Sequence, residues 1–120
     1  MPPSRIVLAA CLGLLPVSEP ALAHAILMQS SPAAESSVPA GTVDMSFRYN
    51  SRIDRARSRL TITSPDHRQS VLKILPSTSP DLLQSSAQLS TPGAYVVRWQ
   101  VLAIDGHITR GDVPFTVTGP

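Results

Sequence analysis

The run AYVVRWQVLAI, residues 94–104, constrains the fold of this chain more than any other stretch. Its apolar side chains recur at every second position, and alternate residues of a β-strand lie on the same face. The run therefore predicts one long strand with a buried face, and shorter runs have the same period. The positions predicted to be buried are Tyr95, Val97, Trp99, Val101 and Ala103 in this run, and Val43, Met45, Phe47, Leu60, Ile62, Val113, Phe115 and Val117 elsewhere.

Turn sequences rich in proline, glycine and aspartate separate these runs, and no window shows a sustained helical stripe. Strands at this spacing predict an all-β domain of about seven strands, either a small Greek-key β-barrel or an immunoglobulin-like sandwich. The turns are Ser31-Pro32, Pro39-Ala40-Gly41, Ser64-Pro65-Asp66, Ser79-Pro80-Asp81, Thr91-Pro92-Gly93 and Asp105-Gly106.

The first 23 residues have the pattern of a secretory signal peptide. Arg5 precedes an apolar run over residues 6–17, and Ala21-Leu22-Ala23 forms a small-x-small cleavage sequence. We expect cleavage after Ala23, which leaves residues 24–120 as one exported domain with a single core. A lipoprotein reading, with Leu8-Ala9-Ala10-Cys11 as a lipobox, is weaker because the apolar run continues beyond the cysteine.

Composition excludes several classes of function. Cys11 is the only cysteine and would leave with the signal peptide, so the remaining domain has neither a disulfide nor a thiolate metal site. Without Arg5 and Glu19, the 10 basic and 8 acidic residues of the sequence become 9 and 7, a charge of +2 that is too mild to indicate nucleic-acid binding. Nucleophile-elbow, P-loop and H-E-x-x-H motifs are absent from the sequence.

Three residues could together hold a metal ion. Cleavage after Ala23 frees the α-amine of His24, which can chelate a metal together with the imidazole nitrogen of the same residue. Asp105 and His107 flank Gly106 after the longest predicted strand, where glycine lets a carboxylate and an imidazole converge. An amine, two imidazoles and a carboxylate form an N₃O set that suits tetragonal Cu(II) and would hold zinc less tightly. Spacing alone leaves open whether His24 meets the other two residues.

Two segments resemble the CopC family of periplasmic copper-binding proteins. The first is HAILMQSSPA, residues 24–33, and the second is PGAYVVRWQVLAIDGHITRGDVPFTV, residues 92–117. The second follows the family signature G-x-Y-x-V-x-W-x-V-x-S-x-D-G-H-x-x-x-G-x-x-x-F-x-V, with alanine in place of the serine. The matching residues are Gly93, Tyr95, Val97, Trp99, Val101, Asp105, Gly106, His107, Gly111, Phe115 and Val117.

The resemblance implies a small Greek-key barrel and one Cu(II) ion per mature chain. By that resemblance the ligands are the amine and imidazole of His24, with Asp105 and His107. It further implies a periplasmic carrier that holds copper, for resistance or for uptake, and passes it to an inner-membrane partner of the CopD type. We expect such a carrier to be a monomer and not an enzyme.

Besides Ala103 in place of the serine, the sequence departs from the family pattern in two places. Tyr49 stands where family members often carry an acidic residue near the copper, which changes the groups that surround the ligands. The central region ITSPDHRQSVLK has no methionine, so we expect Cu(II) and not Cu(I) to bind. His67 in this region is predicted to be a solvated turn residue, with a secondary metal contact as the alternative.

Other conspicuous residues have structural explanations. Met28 and Met45 occur in strand-like runs and are predicted to pack in the core. Five arginines between residues 48 and 59 are predicted to lie in a solvated loop, with docking on an acidic partner or membrane as the alternative.

Two other functions are compatible with the same residues. One is a copper redox enzyme with a histidine brace, as in lytic polysaccharide monooxygenases, but the few aromatic residues offer little for a flat sugar-binding surface. The other is a β-sandwich interaction module without a specific metal site. It predicts that Cu(II) binds no more tightly than to any surface histidine.

Overall fold

The computed structural model describes residues 25–119, which form eight β-strands. The predicted all-β fold is confirmed, with eight strands rather than about seven. No helix within this range is long and apolar enough to span a membrane. The strands are β1 Leu27–Ser31, β2 Ser36–Pro39, β3 Gly41–Tyr49, β4 Ile53–Thr63, β5 Gln69–Leu72, β6 Leu82–Leu89, β7 Gly93–Ala103 and β8 Ile108–Thr118.

The strands form a sandwich of a three-stranded and a five-stranded sheet. The smaller sheet has the order β1-β3-β6 and the larger one the order β2-β8-β7-β4-β5. All pairings are antiparallel except that of β2 with β8, which is parallel. Strands β3 and β6 are neighbours although they are distant in the chain, and so are β4 and β7. Such crossing connections between sheets are those of Greek-key sandwiches.

The core lies between the two sheets and contains the predicted residues with the exception of Met28. Every second residue of β7 is buried from Tyr95 to Ala103, as the alternation predicts. Tyr95 donates its hydroxyl hydrogen to the Thr91 carbonyl oxygen at 2.8 Å, an arrangement like the tyrosine corner of immunoglobulin-like sandwiches. The other predicted core residues are also buried: Val43, Met45, Phe47, Leu60, Ile62, Val113, Phe115 and Val117.

The indole of Trp99 packs between the two sheets and explains why residue 111 of β8 is a glycine. Trp99 pairs across the sheet with Gly111, and a Cβ atom at position 111 would lie 2.5 Å from Cζ2 of the indole. The same indole makes a T-shaped contact with the ring of Tyr49 in the other sheet, with ring centroids 5.3 Å apart and planes at 67°. Only glycine leaves room for the indole at this place.

Two predictions about single elements were wrong. Met28 is 64% exposed and is not a core residue, because β1 has an irregularity between Leu27 and Gln29 that interrupts the alternation. The arginine-rich stretch is not a loop, since β4 contains Arg55, Arg57 and Arg59. The pairing of β4 with β7 shifts register between Asp54 and Arg59. The polar segment between these two residues therefore remains part of the strand.

Candidate metal centre

Asp105 and His107 lie in the turn between β7 and β8. This turn is closed by two backbone hydrogen bonds of 2.8 Å, from the Gly106 N–H to the Ala103 carbonyl and from the Ala103 N–H to the His107 carbonyl. Gly106 has a φ of +93°, a conformation that L-residues rarely adopt. Strand β7 ends at Ala103, so the two side chains are brought together by this turn.

The carboxylate and the imidazole are in direct contact. Nδ1 of His107 lies 2.8 Å from Oδ2 of Asp105, and the backbone N–H of His107 donates to Oδ1 of the same carboxylate at 3.1 Å. When Nδ1 carries the proton of the neutral ring, the lone pair for a metal is on Nε2. The side chains are 59% exposed for His107 and 28% exposed for Asp105, so an ion can reach both from solvent.

The beginning of the described chain is held beside this turn. Ala25 is 1% exposed, and its carbonyl oxygen accepts a hydrogen bond from the Thr109 hydroxyl at 2.8 Å. The Ile26 N–H donates to Oδ1 of Asn50 at 2.8 Å, and the Asn50 N–H donates to the Ile26 carbonyl at 3.0 Å. We call these three contacts of Asn50 and Thr109 with residues 25 and 26 the N-terminal anchor.

His24, the third predicted ligand, lies outside the described residues. Between residues 25 and 119, no group of three or more His, Cys, Asp or Glu side chains could hold a metal ion. That range therefore supplies the pair Asp105 and His107 and the N-terminal anchor. The sequence analysis did not identify Asn50 or Thr109, because an asparagine after a strand and a threonine within one have many ordinary uses.

Tyr49, which stands in the place of the family's acidic residue, is part of the core. Its side chain is buried with 2% exposure, and its hydroxyl has no hydrogen-bond partner among the described residues. Burial raises the pKa of this phenol well above its ordinary value, so it stays neutral at physiological pH. Position 49 therefore supplies no charge to the neighbourhood of Asp105 and His107.

His67 lies far from the candidate centre. It is an exposed turn residue between β4 and β5 with a φ of +68°, and its N–H donates to the Ser64 carbonyl at 2.9 Å. Strand β4 pairs with Ala103 at its beginning and with Val96 at its end. The turn of His67 follows that end, roughly 30 Å along the strand from the candidate centre. It cannot contact the same ion as Asp105 and His107.

The aromatic residues form no exposed platform. The sequence has one tryptophan, two tyrosines and two phenylalanines. All of them are buried in the sandwich: Phe47, Tyr49, Tyr95, Trp99 and Phe115. A flat aromatic surface that could stack on a sugar is therefore excluded for this domain.

A family model described as the CopC domain matches residues 27–118. The chain belongs to the CopC family. This match confirms the family resemblance, and it covers the turn of Asp105 and His107 together with Asn50 and Thr109.

Individual proteins are similar to this chain in sequence or in structure. Protein YobA of Escherichia coli K12 is 31% identical over 100 residues, which cover 79% of each chain. The crystal structure of CopC from Methylosinus trichosporium OB3b superposes with a TM-score of 0.72 and 28% identity, over 80% of this chain and 95% of that one. PcoC from Escherichia coli, a methionine-rich copper resistance protein, superposes with a TM-score of 0.62 and 25% identity, over 80% and 100% of the two chains.

Proposed function

We propose that this CopC-family protein is a Cu(II) carrier that holds one ion through the amine and imidazole of His24, the carboxylate of Asp105 and the imidazole of His107. The observation that carries the proposal is the hydrogen bond from Thr109 to Ala25, which ties the chain start to the strand that follows His107. One peptide bond keeps the Cα atom of residue 24 at ~3.8 Å from that of Ala25. This short covalent tether supports the proposal that the amine of a chain beginning at His24 joins Asp105 and His107 at the ion.

The donor set favours Cu(II) over Cu(I). Three nitrogens and one carboxylate oxygen suit the tetragonal geometry of Cu(II), whereas Cu(I) prefers thiolate and thioether sulfur. Met45 is buried among core residues, and Met28 is the one exposed methionine of the described chain. A single exposed thioether does not make a methionine-rich site.

The exposure of the site fits a cargo ion that is loaded and released. His107 is more than half exposed, so ligands of a second protein can approach the same ion and replace those of the carrier one at a time. We infer that the protein is exported after cleavage at Ala23, acts in the periplasm as a monomer and exchanges copper with an inner-membrane partner of the CopD type. Whether that exchange serves resistance or uptake depends on the partner.

The alternative of a copper redox enzyme with a histidine brace has little support. A copper oxidase acting on a polysaccharide needs a binding surface, and all aromatic side chains of this chain are in the core. A carboxylate bound to copper also stabilises Cu(II) against the reduction that such an enzyme requires. Copper-dependent oxidation of a polysaccharide in the presence of a reductant would contradict the carrier proposal.

The direct test is to titrate Cu(II) into the processed protein that begins at His24 and into a version with one additional N-terminal residue. The extension turns the amine into a peptide nitrogen, and we expect the affinity to fall at least ~100-fold as the chelate is lost. The electron paramagnetic resonance spectrum should show fewer nitrogen ligands. Equal affinity and equal spectra for the two proteins would refute the proposed ligand set and favour the interaction-module alternative.

A further inference from the structure

Two side chains from different sheets hold the same two residues at the beginning of the described chain. Asn50 follows the last residue of β3 in the smaller sheet, and Thr109 lies in β8 of the larger sheet. Their contacts with Ala25 and Ile26 are the N-terminal anchor, with distances of 2.8 to 3.0 Å. The ends of most domains are poorly ordered unless such contacts hold them.

The geometry of the anchor restricts rotation as well as position. Asn50 accepts from the N–H of Ile26 with its side chain and donates to the carbonyl of the same residue with its backbone. Thr109 holds the preceding carbonyl, that of Ala25, whose side chain is buried. Three hydrogen bonds on two consecutive residues, together with one buried methyl group, leave the peptide plane between Ala25 and Ile26 little freedom.

The anchor is also connected directly to the turn that carries the other ligands. Thr109 is two residues from His107, and it pairs with Val101 of β7, close to the point where β7 leads into the turn. The threonine therefore joins the chain start to both strands that flank Asp105 and His107. A small displacement of either partner would separate the two halves of the proposed ligand set.

We propose that Asn50 and Thr109 are positioning residues for the metal: they hold the chain start in the metal-free protein so that the amine and ring of His24 reach the ion bound by Asp105 and His107. This inference rests on the proposed function. An anchored chain end does not have to be ordered when the ion arrives, so less of the binding free energy is spent on ordering. The anchor thus raises affinity without touching the metal.

Thr109→Val is the cleanest variant because valine has the shape of threonine and suits a strand. It removes one hydrogen bond to Ala25, and we expect Cu(II) to bind about five-fold more weakly. The matched control is Thr118→Val, which removes the similar hydrogen bond from Thr118 to the Val38 carbonyl at the far end of β8. That variant should bind Cu(II) as tightly as the unmodified protein.

Two substitutions of Asn50 test the anchor: one should weaken Cu(II) binding and the other should preserve it. Asn50→Leu removes the acceptor for the Ile26 N–H, and we expect a loss of affinity of about ten-fold. Asn50→Asp keeps a side-chain oxygen that can accept the same hydrogen bond. It should therefore bind Cu(II) at least as tightly as the unmodified protein.

A double-mutant cycle distinguishes failure of this inference from failure of the proposed function. In the protein extended by one residue before His24, the amine is no longer a ligand, so the anchor variants should cause little further loss of affinity. If the extension itself has no effect on the unmodified protein, the proposed function fails. If the extension weakens binding but Thr109→Val and Asn50→Leu bind like Thr118→Val, the proposed function stands and the positioning role is refuted.

Amide hydrogen exchange of the metal-free protein provides a readout that does not involve copper. In Asn50→Leu the amide of Ile26 should exchange faster, while the amides of β7 stay protected as evidence that the sandwich is intact. Unchanged protection of Ile26 would contradict the anchor. If Asn50→Leu does not fold, Thr109→Val decides the question alone.

Discussion

Adjacent residues at the end of β3 have opposite roles. Tyr49 points into the core, where its ring makes a T-shaped contact with Trp99, and its hydroxyl lacks a hydrogen-bond partner among the described residues. Asn50, the next residue, turns outward and holds Ile26. A strand alternates its side chains between two faces, so one residue can serve packing and its neighbour can serve the site. Position 49 consequently contributes to packing, not to charge near Asp105 and His107.

Tyr49→Phe should stabilise the protein. The phenylalanine ring keeps the contact with Trp99, and removal of an unpaired buried hydroxyl should raise the free energy of unfolding by about 1 kcal/mol. The matched control is Tyr95→Phe, which loses the hydrogen bond to Thr91 and should lower that free energy by a similar amount. Urea denaturation at pH 7 measures both differences.

The gain from Tyr49→Phe should also increase in alkaline solution. Burial raises the pKa of Tyr49 in the folded protein, so above its unfolded pKa of ~10 the unfolded chain releases the proton and the folded chain retains it. Relative to its value at neutral pH, the free energy of unfolding is unaffected by Tyr49 below about pH 10 and falls as the pH rises further, because only the unfolded chain loses the phenol proton. Unfolding at pH 7 and at pH 10.5 compares the two proteins, and a difference independent of pH would contradict a buried, neutral phenol.

At the scale of the elements, irregularities decide where the alternation rule fails. Ile53 and Leu60 of β4 are both buried although they are seven positions apart, an odd offset that would place them on opposite faces of a regular strand. The register shift between Asp54 and Arg59 restores both to the core. The regular strands β3, β7 and β8 were predictable because their period is unbroken. The second half of β4, with Leu60 and Ile62, was also predicted, whereas its irregular first half and the short, largely exposed strands β1 and β2 were not.

Gly111→Ala should strongly destabilise the protein, although it adds only one methyl group. The new methyl group would overlap the indole of Trp99 in the middle of the β7–β8 pair, and we expect a loss of about 2–3 kcal/mol in the free energy of unfolding. The control is Gly119→Ala, where the nearest atom to a new Cβ is Cγ of Pro92 at 3.8 Å and little change is expected. Equal denaturation midpoints for the two variants would show that the indole can move aside.

At the scale of the whole molecule, the proposed metal centre joins distant parts of the sequence. Thr109 and Ala25 are 84 residues apart, yet their hydrogen bond lies beside the turn of Asp105 and His107. Such a set of ligands exists only in the folded chain. An ion that binds it therefore favours the folded state by mass action.

Cu(II) should accordingly raise the melting temperature of the processed protein. Free Cu(II) at a thousand times its Kd adds about 4 kcal/mol to the free energy of unfolding, less any affinity that the unfolded chain retains. Addition of a chelator should return the melting temperature to its metal-free value, and His107→Ala should show a much smaller shift. A melting temperature that Cu(II) leaves unchanged would contradict a site assembled by folding.

The sequence by itself determined the regular strands and one half of the proposed site. Period-two alternation predicted the buried residues of β3, β7 and β8, and the D-G-H triplet predicted that Asp105 and His107 converge, because both depend on residues close together in the chain. Tertiary structure decided the exposure of Met28, the burial of the Tyr49 hydroxyl and the N-terminal anchor. Those features depend on which strands meet across the sandwich, and contacts between distant residues leave no period in a single sequence.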